Sequence, residues 1–128
     1  MKKILVAASS ILFLAVAVCV AARAGEHVKL TGYLVDSMCA SGHAHSSPEE
    51  ADAFGAKHTK SCALDTECAA SGFGIISEGK YYPFDAEGNK MAKALFEKTS
   101  KNDHIKATVE GEQQDNNKIA VASLSEVP

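Results

Sequence analysis

At 128 residues with a formal net charge of −3, the chain has room for one globular domain and not two. Its acidic balance supplies neither the positive footprint that a nucleic acid requires nor a cationic face for anionic lipid.

The chain opens with Lys2 and Lys3, an apolar run over residues 4–20 broken only by Ser9 and Ser10, and then Ala22-Arg23-Ala24. A positive start, an apolar middle and small residues at −3 and −1 predict a secretory signal cleaved after Ala24. An uncleaved anchor is the competing expectation, since the run approaches spanning length. A lipoprotein at Cys19 is disfavoured by the bulky Val18 before it. Cleavage leaves residues 25–128 as a single exported domain, periplasmic or secreted, with no attachment to the membrane. Loss of Lys2, Lys3 and Arg23 then leaves 10 basic residues against 16 acidic ones, a net charge of −6.

Residues 28–35 alternate as a first strand, with Gly32 as a bulge or bend. A long insertion, 36–71, follows. Within it, Ser47-Pro48-Glu49-Glu50 carries a capping-box signature. It starts a helix expected to end near Phe54, because Gly55 weakens it, and a second helical piece is predicted over 58–64. Strands are predicted at 72–77 and 80–84, joined by the Glu78-Gly79 turn. An amphipathic helix over 90–98 places Met91, Ala94 and Leu95 on one face. Strands at 104–111 and 118–124 close the chain. This order predicts a mainly β fold, a small five-stranded OB-like barrel, with an open α+β meander as the alternative. Tyr81, Tyr82 and Phe84 are expected to serve as a strand with one face in the core rather than as a stacking platform for bases.

Residues 36–68 contain Cys39, Cys62 and Cys68, all the cysteines that remain once Cys19 is lost, together with His43, His45 and His58. In an oxidising compartment thiols pair or bind metal, and three cannot all pair. His58-x-x-x-Cys62 puts both side chains on one face if the segment is helical. Cys68 follows where the chain would curl back, and Cys39 lies three residues after Asp36. The predicted ligand set is Cys39, His58, Cys62 and Cys68, with Asp36, His43 and His45 as further ligands or as supports that orient His58. Thiolates with an imidazole suit zinc first and Cu(I) second. The protein would then bind such an ion structurally, or carry or sense it.

The competing expectation is a disulfide between Cys39 and one of Cys62 or Cys68, with one thiol to spare, in a domain that binds another envelope protein or a glycan. The histidines outside the segment, His27 and His104, are expected at the surface. C-x-x-C, P-loop, dinucleotide-binding and haem-attachment patterns are absent, and the expectation is a binding protein rather than an enzyme.

The pattern Gly32-Tyr33-x-x-Asp36-x-x-Cys39, His58-x-x-x-Cys62, Cys68, Gly72 and Gly79-Lys80-x-Tyr82, followed by a closing strand pair, resembles a group of small exported bacterial proteins of unassigned activity. The likeness runs over nearly all of residues 25–128. It implies an exported domain whose Asp36, Cys39, His58, Cys62 and Cys68 act as one unit, and it names no substrate, metal or partner.

Overall fold

The computed structural model describes residues 25–43 and 47–128. The leader expected over residues 1–24, and His45, lie outside the described residues. The elements are β1 (Glu26–Asp36), α1 (Ser37–His43), α2 (Pro48–Lys57), α3 (Lys60–Ala63), α4 (Thr66–Ala70), β2 (Phe73–Ser77), β3 (Lys80–Pro83), α5 (Ala86–Lys98), β4 (Lys106–Gln113) and β5 (Ile119–Glu126). Among these described residues, no helix is long and apolar enough to cross a membrane.

The strands form one antiparallel sheet in the order β3-β2-β1-β4-β5. β1 is central and changes partner along its length. Its first part pairs with β4 up to Tyr33–Lys106, and from Tyr33–Ile76 onward it pairs with β2. Gly32 sits where the change occurs, and a side chain there would run into the carbonyl oxygen of Ile76. The expected bend is therefore a close approach of two backbones.

The strand ladders do not close the sheet into the expected barrel. β3 and β5 are its edges, and Phe84, just past β3, makes an isolated parallel bridge with Ile119 at the start of β5. The molecule is a mixed α/β domain with an open sheet. It is not a simple meander either, because the first strand lies in the middle.

The far end of β1 is buried on both faces, and the Phe73–Ser77 strand beside it is buried along its whole length. One face carries the main core, where Leu34, Phe73 and Ile75 pack with Ala92 and Phe96 of α5 and with Val109 and Ile119. The other face carries a smaller cluster of Val35, Ile76, Ala40 and Ala51, covered by Phe54 and Tyr81. The insertion supplies that cover. It also caps the end of the main core, because Ala63 is fully buried there and Leu64 and Ala69 pack against it. The described part of the insertion packs on both faces of the sheet and brings its cysteines to the end of β1.

Two helices differ from expectation for identifiable reasons. α5 begins one turn before residue 90, since the Asp85 side chain accepts the Gly88 N–H and caps it. The helix of the capping box does form, with both of its reciprocal hydrogen bonds present. It continues through Gly55 to Lys57, and Gly55 is buried against Tyr33, where an added Cβ would lie 2.8 Å from the Tyr33 Cβ. The missing side chain lets the helix lie close on the sheet, which offsets the conformational cost of a helical glycine.

Candidate metal centre

The site is built where β1 ends. Asp36 is fully buried and is the last residue of that strand, paired with Phe73. The chain turns there into α1, and the Asp36 Oδ1 accepts the Cys39 N–H at 2.8 Å. A carboxylate that binds the third N–H of the helix it precedes is acting as an N-cap. This cap ties Cys39 to Asp36 and explains their separation of three.

Cys62 is held by the same device. Thr59 precedes α3 and its Oγ1 accepts the Cys62 N–H at 3.2 Å. Cys68 lies on α4, which Asp65 caps through the Glu67 N–H. The Ser71 hydroxyl donates to the Cys68 carbonyl at 2.6 Å and accepts the Met38 N–H at 3.0 Å, which joins α4 to α1. Each helix is too short to be stable alone, so capping and mutual packing position the thiols.

These turns bring the Asp36 carboxylate and the sulfurs of Cys39, Cys62 and Cys68 within 4.8 Å of one another. The sulfurs of Cys39 and Cys62 are 3.6 Å apart. That is well beyond the roughly 2.05 Å of a covalent S–S bond, and all three cysteines are free and half-buried. No disulfide of the kind weighed for Cys39 joins them. A tetrahedral zinc ion with Zn–S bonds of about 2.3 Å would set its sulfur ligands roughly 3.8 Å apart, close to the spacing seen.

Of the residues expected to bind metal, Cys39, Cys62, Cys68 and Asp36 come together. His58 does not join their donor atoms. It ends α2 in an extended conformation (φ −63°, ψ 128°), and Thr59 then starts a new helix. The continuous helix over 58–64 that would have put His58 and Cys62 on one face is therefore interrupted. His58 is buried, and its Nε2 lies 2.6 Å from the Asp36 Oδ2. It backs the carboxylate from outside the cluster. Its Nδ1 is buried and has no hydrogen-bond partner among the described residues. His43 is exposed at the end of α1 and stacks on Phe54, ring centroids 4.0 Å apart, and Phe54 meets His58 edge-on at 5.6 Å. Outside the segment, His27 and His104 are exposed.

Asp36 standing in the cluster, with His58 behind it, is the part of the arrangement that spacing did not give. A legible signal did exist: Asp before Ser-Met-Cys has the spacing of an N-cap and the third residue of its helix.

Without a metal, the electrostatics oppose thiolates at Cys39 and Cys68. The Cys39 thiol is pushed far above its ordinary range by burial, then by the hydrogen bond with Cys62 and the charge of Asp36. Cys68 is also raised, by desolvation and then by Asp36. Burial pushes the Tyr81 phenol up to about 12, with Asp36 adding to the shift, and its hydroxyl sits 2.7 Å from that of Ser37. A bound divalent cation inverts this balance by neutralising the same charges. The donor set therefore fits a metal ion, and the cluster can hold one. Compared with protein-family models, curated proteins and solved structures, the chain matches none.

Proposed function

We propose that the protein is an exported metal-binding domain whose ligands are Asp36, Cys39, Cys62 and Cys68. Zinc is the favoured ion and Cu(I) the second choice. The observation that carries this reading is the meeting of four donor atoms, from the end of β1 and from three separate short helices, within 4.8 Å. Three sulfurs and one carboxylate oxygen satisfy a tetrahedral ion without further help. His58 belongs to the site as the group that fixes the Asp36 carboxylate, since partners behind a ligand orient it and tune its basicity.

Cys39 and Cys62 line an open cleft, which brings the centre within reach of solvent and supports exchange with a carrier or a sensed pool. We read the site as a binding centre rather than a catalytic one. Export rests on the leader pattern of residues 1–24, and a barrel-like closure of the sheet rests on the Phe84–Ile119 bridge.

The test is elemental analysis together with a thiol count on protein from its native compartment. One zinc per chain is expected, with thiols that react only after chelation, and Cys62→Ser should abolish stoichiometric binding. Retention of a full equivalent of zinc by Cys62→Ser would refute this ligand set.

A further inference from the structure

We propose that Cys39 and Cys62 are a reversible disulfide pair, that closing it expels the metal ion, and that Cys68 remains the reduced thiol. The inference rests on the metal-binding reading and adds its regulation.

Three observations select this pair. The two sulfurs are already 3.6 Å apart, so a bond of about 2.05 Å needs an approach of roughly 1.5 Å. Both cysteines line one open cleft of about 220 Å³ with Phe54, Lys57, His58 and Thr59, and Cys68 does not line it. A reagent in solvent therefore meets Cys39 and Cys62 together, with the positive charge of Lys57 alongside. Lastly, Cys62 sits on a helix of four residues and Cys39 on one of seven, so a small approach disturbs few backbone hydrogen bonds.

The oxidant is a low-molecular-weight or protein disulfide, RS–SR. One cysteine thiolate attacks a sulfur of RS–SR, forms a mixed disulfide and releases one RS⁻. The second cysteine thiolate attacks the protein sulfur of that mixed disulfide and releases the other RS⁻. Two electrons pass from the cysteine sulfurs to the two released thiolates, and any proton the cysteines carried goes with them. The site then retains only Asp36 and Cys68 as donors, too few for a tetrahedral ion held by protein alone.

The test uses the full chain, reduced and loaded with zinc, and treats it with increasing ratios of oxidised to reduced glutathione. Free thiols are alkylated, and the protein is digested with trypsin and a glutamate-specific protease. Cleavage after Glu67 separates Cys62 from Cys68 and lets mass spectrometry distinguish the possible pairs. A chromogenic chelator follows zinc release in parallel. The expected result is a Cys39–Cys62 link with Cys68 alkylated, one zinc released per link formed, and reversal by reduced glutathione. The Cys68→Ser variant, oxidised in the same way, should still form the link. A dominant link involving Cys68, zinc retained after the Cys39–Cys62 link has closed, or no link at the most oxidising ratio would overturn the proposal. Failure of the underlying metal reading shows separately and earlier, as a reduced chain that takes up no zinc before oxidant is added, and it removes the switch as well.

Discussion

His58 approaches Asp36 through Nε2 at 2.6 Å, and that contact fixes more than an orientation. A carboxylate only accepts hydrogen bonds, so Nε2 is the donor in this contact, and Nδ1 meets no partner among the described residues. In Asp36→Asn the amide can face Nε2 with its NH₂ group, which moves the ring proton to Nδ1 and buries a donor with no acceptor. That exchange should cost about 1–3 kcal/mol of stability and remove one anionic ligand. His58→Ala instead leaves the buried Oδ2 without a donor. We expect a loss of about 2–4 kcal/mol in urea unfolding and a 10–100-fold drop in zinc affinity by competition titration. Zinc stoichiometry should stay at one. Loss of the bound equivalent in His58→Ala, with the fold intact, would instead place His58 among the ligands. The cysteines of this centre were legible from composition alone, because three thiols and three histidines share a quarter of the chain. The exchange of roles between Asp36 and His58 was not, since it depends on a helix break at His58–Thr59 that an i, i+4 spacing cannot register.

At the scale of elements, the insertion is a series of short capped helices, and the caps carry the geometry. Thr59 caps α3 through the Cys62 N–H, so Thr59→Ala should cost about 1 kcal/mol. It should also weaken zinc binding several-fold without altering stoichiometry, as read by chemical unfolding and metal competition. A second lever lies farther away. Gly79 adopts φ +75° in the β2–β3 turn, presses on Pro48 at the start of α2, and donates its N–H to the Asp52 Oδ1 at 2.9 Å. Gly79→Ala combines a left-handed conformation with a clash against backbone, and we expect a loss of about 2 kcal/mol or more. Because α2 leads into His58, zinc affinity should fall with stability, although no ligand is touched. Unchanged affinity in a destabilised variant would show that the insertion folds independently of that turn. Strand positions and the capping box were readable in the sequence because period-two alternation and Ser-Pro-Glu-Glu are local signals. α1 was faint in the sequence, because its only marks are the Asp36 cap spacing and a few small residues. That the strand ladders leave the sheet open was equally hidden, since whether β3 and β5 pair is a long-range outcome that strand order alone leaves undecided.

For the whole molecule, metal and proton act on the same thiols, and the sign of the pH dependence should reverse with metal loading. In the metal-free fold Cys39 holds its proton more tightly than it would in the unfolded chain, whose thiols titrate near 9. Above that pH the unfolded chain has lost protons that the folded chain keeps, so stability falls as pH rises. Tyr81 acts in the same direction, its contribution being complete below about 10 and lost towards about 12. The zinc-loaded fold holds its thiols deprotonated, whereas the unfolded chain binds protons on them below 9. Its stability should therefore rise with pH through the neutral range. Binding to the folded state alone adds about 2.7 kcal/mol at a free zinc concentration one hundred times Kd. For a domain of this size that corresponds to an increase in Tm of roughly 10–20 °C. Chemical unfolding from pH 6 to 8.5 with zinc, and from pH 8.5 to 11 with chelator, reads both slopes. Opposite signs are expected. A zinc-treated protein whose stability is flat with pH and equal to that of the chelated form would mean that the four donors hold no ion, and that Asp36 and the three thiols serve only to pack the end of the sheet.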